Sequence, residues 1–386
     1  MSKSNETTPN VPTLRFREFA DTWRLIPIKN LLRFQNGINA ESTKYGKGVK
    51  YISVSDILNN QFITYDCIKG LIDIDKKTFD KFIVEYGDIL FQRSSETFED
   101  IGRANVYIDK ERPATFGGFV IRGKRISDYN PLFFRYLLCT HSARKQTVRM
   151  GAGAQHYNIG QEGLERISLY FPSLAEQEKI AALLNTLDSK IAVQNKIISK
   201  YETLIKGISN NIFNQADGQE YDLGKIASIY QPQTITKSDL VENGTYPVYG
   251  ANGVIGYFSR FNHKESQIMI TCRGSTCGTV NISVPYSWIT GNAMVINVDD
   301  YKEKVDKMYL YYYLRTLPWE ELISGSGQPQ IVRGPLLTLK VTLPPLDRQI
   351  EIRKIIDAFV IKLEIEKRML SALQKKKAFL IQSMFI

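Results

Sequence analysis

The sequence predicts an α+β protein with an internal repeat, in which a strand-rich globular domain followed by a long helix occurs twice. A Pro-x-Leu-x-x-Gln-x-x-Ile frame begins at Pro172 and returns, without a gap, at Pro344. A heptad pattern follows each copy of this frame, which predicts two long helices that pack as a coiled coil. Between the helical segments the sequence has short apolar runs separated by Gly and Asn turns, which are typical of strands.

The composition indicates a soluble protein with more than one core. The chain has 386 residues, of which 43% are hydrophobic, and this is enough for two or three domain-sized cores. No run approaches about 18 unbroken apolar residues, and the opening MSKSNETTPN lacks the apolar core of a signal peptide. We therefore expect a cytoplasmic protein without a membrane segment. Its formal net charge of +10 favours a polyanionic partner.

The repeat divides the chain into five segments. They are an N-terminal segment (1–22), a first globular domain (23–171), a first long helix (172–214), a second globular domain (215–343) and a second long helix (344–386). Beyond its first residues neither helical segment contains proline. At about 1.5 Å per residue, each helix reaches roughly 60 Å.

The predicted coiled-coil seam steps by alternating fours and threes in both helical segments, a period of about 3.5 residues. Its positions are Ile180, Leu184, Leu187, Ile191, Gln194 and Ile198 in the first copy, and Ile352, Ile356, Phe359, Leu363, Glu366 and Leu370 in the second. Two of these residues, Gln194 and Glu366, are polar and occupy equivalent positions. Either they fix the register or partner choice of the helices, or the seam loosens where other domains contact it.

Three pairs of segments between the helices also correspond. They are residues 87–102 and 266–278, residues 131–140 and 307–316, and residues 150–172 and 324–344. The first pair has an apolar strand, then an arginine, then a small polar loop. The second pair predicts a short aromatic-rich helix. The third pair has a Gly-rich loop, a polar turn and an apolar strand that leads into the long helix.

Signatures of catalysis and of cofactor binding are missing. The sequence has no H-E-x-x-H, no G-x-S-x-G and no amino-methyltransferase signature, and no G-x-G-x-x-G follows a predicted strand. In GFVIRGKR, Arg125 stands where a phosphate-binding loop needs Ser or Thr, so its glycines are expected to interrupt a strand. Cys272 and Cys277 have no nearby His, which disfavours a zinc site. We expect a binding protein without catalytic residues, metal or cofactors; the alternative is a nuclease or methyltransferase with a diverged site.

Several stretches resemble the specificity (S) subunits of type I restriction–modification systems. The stretch PTLRFREFADTW (12–23) is similar to the opening of many of these subunits, and the two helical segments resemble their conserved helical regions. YPVYGANGVIGYF (246–258), RGSTCG (273–278) and GSGQPQI (325–331) resemble stretches of their target-recognition domains. The resemblance spans nearly the whole chain.

The resemblance implies a function for the duplicated plan. Each globular domain would be a target-recognition domain that reads one half of a split site in double-stranded DNA. The two helices would pack as an antiparallel coiled coil in a pseudo-twofold arrangement, set the length of the unread spacer and dock two methyltransferase subunits. Restriction subunits would join through that complex, and the chain itself would not be an enzyme. The alternative is a coiled-coil DNA-binding scaffold or regulator without a methyltransferase partner.

Candidate DNA contacts are chosen by side-chain chemistry within the corresponding loops. Arg suits guanine, Asn and Gln suit adenine, and Lys, Ser and main-chain amides hold phosphates. The candidates are Arg93, Ser94, Arg103, Arg149, Gln155, His156 and Tyr157 in the first domain, and Arg273, Ser275, Thr276, Gln328, Gln330 and Arg333 in the second. The first loop is longer (RSSETFEDIG) than the second (RGSTCG), so we do not expect equal roles for the two loops.

Overall fold

The computed structural model of the protein describes residues 10–153, 156–250, 252–325 and 327–386. The chain divides into two units: unit 1 runs up to Val193 and includes residues 370–386, and unit 2 comprises residues 194–369. Each unit therefore combines one strand-rich domain with part of both long helices. No helix within the described ranges is long and apolar enough to cross a membrane.

Unit 1 is organised around a four-stranded antiparallel sheet. The strands of unit 1 are β1 (Arg24–Pro27), β2 (Leu32–Asn36), β3 (Tyr45–Ile52), β4 (Leu71–Ile72), β5 (Ile89–Gln92), β6 (Ser94–Ser95), β7 (Ala104–Val106), β8 (Thr115–Phe116), β9 (Val120–Arg125), β10 (Tyr157–Asn158) and β11 (Ser168–Phe171). Its helices are α1 (Val54–Asn59), α2 (Lys76–Lys81), α3 (Pro131–Leu138), α4 (His141–Arg149), α5 (Gln161–Glu165) and the first part of α6 (Leu174–Asn214). The four-stranded sheet has the order β2–β9–β5–β7, and the smaller sheets are β4–β3–β8, β1–β11 and β6–β10.

Strand β5 lies inside the four-stranded sheet, which explains its sequence. Each of its four residues, ILFQ, is buried, as expected for a strand covered on both faces. Ile89 and Phe91 belong to the same core as Phe133 of α3 and Leu184 of α6. The neighbouring strand β9 contains VIRGKR, the last six residues of GFVIRGKR, so the stretch is a strand as expected, but Gly123 lies inside it and does not interrupt it.

Unit 2 repeats this organisation. Its strands are β12 (Gln219–Asp222), β13 (Ser228–Tyr230), β14 (Tyr246–Gly250), β15 (Gly253–Phe258), β16 (Ile268–Thr271), β17 (Val280–Ile282), β18 (Trp288–Ile289), β19 (Ala293–Asn297) and β20 (Lys340–Leu343). Its helices are the remainder of α6, α7 (Lys307–Leu314), α8 (Arg333–Leu337) and most of α9 (Leu346–Met384). The sheets have the orders β13–β19–β16–β17, β15–β14–β18 and β12–β20.

The two units have corresponding sheets in the same chain order. The order β2–β9–β5–β7 in unit 1 matches β13–β19–β16–β17 in unit 2, and the pair β1–β11 matches β12–β20. The aromatic helix α3 likewise corresponds to α7, as the sequence predicts. The α+β class and the internal repeat are thereby confirmed.

The repeated glutamine of the Pro-x-Leu-x-x-Gln-x-x-Ile frame ties each long helix to the aromatic helix of its own unit. In unit 1, Gln177 accepts a hydrogen bond from the main-chain N of Asn130 (2.9 Å) and donates to the main-chain O of Pro172 (3.0 Å). In unit 2, Gln349 accepts from the N of Asp306 (2.9 Å) and donates to the O of Pro344 (2.9 Å). Asn130 and Asp306 are themselves the N-caps of α3 and α7. One buried amide thus satisfies main-chain groups that neither helix can satisfy alone.

Helices α6 and α9 contact each other within both units. In unit 1, Asp188 of α6 accepts hydrogen bonds from Tyr136 (2.7 Å) and pairs with Lys377 of α9 (2.5 Å). In unit 2, Gln194 bonds to Glu366 near one end, whereas Phe213 shares a core with Ile352 and Ile356 at the other. The helices are therefore antiparallel there. The twelve predicted seam positions are all buried or half-buried.

The end of each long helix packs against the aromatic helix of a unit. Phe385, just after α9, stacks on Phe133 of unit 1 with ring centroids 5.3 Å apart. Phe213, near the end of α6, meets Tyr309 of unit 2 edge-on at 5.3 Å. Aromatic pairs of this kind add stability beyond the apolar area that they bury. The two phenylalanines occupy equivalent positions of the repeat, which gives a structural reason for their identity.

The stretch 12–23 contacts the beginning of α6 and the end of α9 within unit 1. Arg15 makes two hydrogen bonds of 2.7 Å each to the carboxylate of Glu176, which is 1% exposed. The main-chain N of Leu14 donates to the O of Ser383 over 2.9 Å. The ring of Trp23 lies 6.2 Å from that of Phe385. Through Trp23 and Phe16 the stretch also contributes to the core of unit 1.

Candidate nucleic-acid interface

Two candidate loops of unit 1 are joined by main-chain pairing. Ser94 in β6 pairs with Asn158 in β10, and Ser95 pairs with Tyr157. The hydroxyl of Ser94 also donates to Oδ1 of Asn158 over 2.5 Å. The pairing brings four of the candidate residues into one region: Arg93, Ser94, His156 and Tyr157.

Arg93 is bonded to the segment between β8 and β9. Its main-chain N donates to the O of Phe119 (2.9 Å), and its Nη1 donates to the O of Gly118 (3.3 Å). The adjoining Phe119 side chain is 70% exposed. Tyr157 packs edge-on against Phe98 at 5.2 Å, whereas His156 is exposed.

The remaining candidates of unit 1 lie apart from this pairing. Arg103 is exposed and forms an ion pair of 2.7 Å with Asp100. Arg149 is exposed at the last residue of α4. Gln155 lies outside the described residues.

The paired loops border a cleft of about 460 Å³. Ser94, His156 and Phe119 line it, together with Gln92 and the acidic residues Glu96 and Asp100. The cleft therefore presents hydrogen-bond acceptors more than cations. It is large and open enough to admit the edge of a nucleobase.

Unit 2 joins its own two candidate loops in the same way. Arg273 pairs with Gln330, and Gln330 pairs in turn with Ser324. The main-chain N of Gly274 donates to the O of Pro329 over 3.0 Å. Four candidate side chains of this region are exposed: Arg273, Ser275, Gln328 and Gln330.

Two further candidates of unit 2 extend the region. Thr276 donates its hydroxyl hydrogen to Oδ1 of Asn252 over 2.5 Å, which links the loop to the turn between β14 and β15. Arg333 is exposed and is the first residue of α8. The stretches 246–258 and 273–278, which both resemble parts of target-recognition domains, are therefore also close to each other in space.

Main-chain hydrogen bonds define which loop positions are equivalent. Ile159 donates to the O of Arg93 (3.0 Å), and Ile331 donates to the O of Cys272 (3.1 Å). Arg93 therefore corresponds to Cys272, and the arginine of the second loop, Arg273, corresponds to Ser94. The arginine that follows each strand is offset by one position between the units, because Cys272 stands between Thr271 and Arg273, whereas Arg93 directly follows Gln92.

A glycine with positive φ lies at the same point in each Gly-rich loop. Gly153 has φ 137° and Gly325 has φ 90°. A Cβ at Gly153 would lie 2.0 Å from the O of His156, and one at Gly325 would lie 2.6 Å from the O of Gln328. Only glycine fits both the conformation and the space. His156 and Gln328 are thus presented by matching turns.

Cys272 is buried and Cys277 is half-buried. Burial raises the pKa of the Cys277 thiol. Within the described residues there is no group of three or more His, Cys, Asp or Glu side chains that could hold a metal ion.

Sequence reasoning missed two polar residues in the paired loops. Gln92 is 5% exposed, and its Oε1 has no hydrogen-bond partner in the part of the chain that the structure describes. Asn158 is exposed and bonded to Ser94. A glutamine that ends an otherwise apolar strand was the available signal for the first. Asn158 directly follows the candidate Tyr157, and nothing in its sequence context distinguishes it from other surface residues.

Comparisons with known proteins agree on one family. The family model described as "Type I restriction modification DNA specificity domain" matches residues 21–203 and 216–375. A candidate MjaX type I restriction enzyme specificity subunit from Methanocaldococcus jannaschii is 24% identical over 396 aligned residues, which cover 93% of this chain and 92% of the relative.

Solved structures share the fold. The type I restriction–modification S subunit from M. genitalium has a TM-score of 0.64 at 18% identity, with 97% of this chain and 99% of that chain covered. A structure described as addressing complex assembly and conformational transition of the type I R-M system has a TM-score of 0.58 at 14% identity, with coverages of 93% and 96%.

Proposed function

The chain belongs to the type I restriction–modification DNA specificity family and is a specificity subunit with two DNA specificity domains, and from this premise we propose which part of the DNA target each unit recognises. The paired loops of unit 1 read one half of a split duplex target, and those of unit 2 read the other half. The chain itself is not catalytic, and its partner subunits perform the chemistry. The observation that carries this proposal is that both units present the same loop pair on matching main-chain positions with different side chains.

The differences between the loops are of the kind that changes base readout. Where unit 1 has Ser94 and Asn158, unit 2 has Arg273 and Gln330. Arg is the commonest reader of guanine, whereas Asn and Gln suit adenine. Two units with the same main-chain arrangement but different hydrogen-bonding side chains would therefore select different half-sites.

The candidate contacts remain those of the paired loops and their neighbours. They are Arg93, Ser94, Arg103, Arg149, Gln155, His156 and Tyr157 for one half-site, and Arg273, Ser275, Thr276, Gln328, Gln330 and Arg333 for the other. Because Arg93 is bonded to the segment between β8 and β9, we assign it to holding the loop in place rather than to direct base contact. The globular segments 23–171 and 215–343 are the proposed reading domains, and the helical segments 172–214 and 344–386 are the proposed spacer.

The long helices are the proposed docking surface for two methyltransferase subunits, through which restriction subunits join. Ile361, Ile365 and Met369 lie four residues apart on α9 and are 60%, 48% and 50% exposed. Residues at this spacing share one helix face. An exposed apolar face of this kind is typical of a protein interface.

A domain exchange tests the proposal in cells that also carry the methyltransferase subunit. Residues 215–343 are replaced by the matching domain of a relative, and the methylated motif is determined by methylome sequencing before and after. We expect one half of the motif to change while the other half and the split persist. A change in both halves together would contradict the assignment of one half-site to each unit. Methyl transfer by the purified chain alone would contradict its non-catalytic role.

A further inference from the structure

Gln92 has a buried amide whose two ends differ in their bonding. Its side chain is 5% exposed and lines the cleft of unit 1. Its Nε2 donates to the main-chain O of Ser94 over 2.8 Å, while its Oε1 has no hydrogen-bond partner among the described residues. An unpartnered buried acceptor is unfavourable and rare in native proteins, so its presence calls for an explanation.

The free atom of this amide decides what it can bind. Glutamine usually reads adenine with both ends, by accepting from N6 and donating to N7. One N–H of the Gln92 amide is bonded to the O of Ser94, whereas the oxygen has no partner among the described residues. This acceptor recognises an N–H group, and in the major groove the bases that present one are adenine, at N6, and cytosine, at N4.

The rest of the cleft has the same preference. The Glu96 side chain contributes a further acceptor. Asp100 is engaged by Arg103 over 2.7 Å and by Thr97 over 2.9 Å, and Arg93 donates to the O of Gly118, so both arginines of this loop have partners. The exposed ring of Phe119 forms part of the wall, held by the hydrogen bond between its main-chain O and the N of Arg93. An apolar wall beside an acceptor suits the edge of a base better than a phosphate.

We propose that Gln92 is a specificity-determining residue, and that its Oε1 accepts a hydrogen bond from the exocyclic amino group of an adenine or cytosine in the half-site read by unit 1. This inference rests on the function proposed above and adds the class of base that the cleft selects. Unit 2 has Thr271 at the equivalent position, because Gly102 donates to the O of Gln92 as Gly278 donates to the O of Thr271. The same selection is therefore not expected in the other half-site.

The test removes the amino group from the DNA and the acceptor from the protein, separately and together. The complete complex with its methyltransferase subunits is used, on duplexes that carry the methylated motif. Each adenine of the unit 1 half-site is replaced in turn by purine, and each cytosine by 2-pyrimidinone, because these bases lack only the amino group. With the unaltered protein, one such replacement should weaken binding about 10-fold or more.

The variants decide whether Gln92 is the acceptor. Gln92→Leu should weaken binding to the normal duplex about 10-fold and should no longer respond to that replacement. Gln92→Glu keeps an acceptor and should still respond. The base whose replacement weakens binding shows whether Gln92 contacts an adenine or a cytosine.

Two results separate this inference from the function on which it rests. An unchanged penalty for the replacement in Gln92→Leu, with normal selection of the unit 2 half-site, would overturn the assignment of Gln92 alone. Failure of the unaltered complex to bind any split motif would overturn the proposed function. Selection of the unit 2 half-site also reports whether each variant is folded, because that half-site does not involve Gln92.

Discussion

Gln194 and Glu366, which occupy equivalent positions of the two repeats, are hydrogen-bonded to each other. Nε2 of Gln194 donates to Oε2 of Glu366 over 2.6 Å and to its main-chain O over 3.1 Å. Hydrogen bonds from Lys362 and Gln194 lower the pKa of the Glu366 carboxyl, which therefore stays ionised at neutral pH. In two antiparallel copies of one sequence, equivalent residues face each other at a single point. The contact favours the interpretation that this polar pair fixes the register over the interpretation that the seam loosens there.

The first prediction concerns this pair. Glu366→Leu removes the carboxylate acceptor of Gln194 and leaves only the main-chain O at this position, so we expect the free energy of unfolding to fall by about 1–3 kcal/mol. The double variant Gln194→Leu/Glu366→Leu should recover most of that loss, because an apolar pair needs no partner. Urea unfolding of the single and double variants measures both effects. Lys362→Met is the control for the loss of the Lys362 contact, and a double variant no more stable than the singles would contradict the prediction.

The second prediction concerns the repeated glutamine. Gln349→Leu leaves the N of Asp306 and the O of Pro344 without their partners, so unit 2 should lose about 2–5 kcal/mol of stability. Gln177→Leu should weaken unit 1 by a similar amount. Hydrogen exchange measured by mass spectrometry assigns each loss to a unit. The exposed Gln215→Leu serves as the control, and equal loss of protection in both units after either change would argue against a local role.

The third prediction concerns the ion pair of the N-terminal stretch. Arg15→Met leaves the buried carboxylate of Glu176 uncompensated, and we expect a loss of about 3 kcal/mol or more. Arg15→Lys should restore little, because lysine cannot make both hydrogen bonds in the plane of the carboxylate. Thermal and urea unfolding check the loss. Arg17→Met, at an exposed position nearby, should change stability little; if it matches Arg15→Met, the pair is not the cause.

The fourth prediction is a pH dependence of unit 2. Burial lowers the pKa of His263, and the nearby Asp299 only partly opposes this effect. Nδ1 of His263 lies 2.6 Å from the acceptor Oδ1 of Asn262, so Nδ1 carries the hydrogen and Nε2 accepts from Tyr230 (2.9 Å). The unfolded state binds a proton near pH ~6.5, but the folded state does so only at lower pH.

Stability from this neutral histidine should therefore be present above pH ~6.5 and lost as the pH falls below it. Urea unfolding at pH 7.5 and 5.5, followed by the fluorescence of Trp288 and Trp319, measures the change. His263→Gln should reduce the difference between the two pH values. An unchanged difference would show that other groups cause it.

Much of the fold follows from local sequence signals. The heptad period predicts α6 and α9, and the aromatic runs predict α3 and α7, because the sequence within each segment is enough to define a helix. Which segments of the chain form each compact unit could not be predicted from local sequence in the same way. The sequence suggests domain boundaries at residues 171 and 343, but each compact unit includes parts of both long helices. That arrangement depends on contacts such as Phe133 with Phe385, which are far apart in the chain.

The candidate site likewise could be predicted only in part from the local sequence. Loop correspondence could be predicted from Gly153 and Gly325, since a positive φ restricts the residue type. The offset between Arg93 and Arg273 could not, because the two loops differ in length and only the main-chain hydrogen bonds define the equivalent positions. Gln92 was missed for a related reason: in sequence it reads as the end of a buried strand, and its unpartnered oxygen is visible only in three dimensions.

The assembly of unit 1 from two distant parts of the chain has a consequence for the order of folding during synthesis. Trp23 and Phe133 leave the ribosome well before their partner Phe385. Unit 2 is continuous from 194 to 369 and can complete its core first. Because domains generally fold as units as they emerge, unit 1 can close only after unit 2 has emerged, and its aromatic surface stays uncovered until α9 has been synthesised.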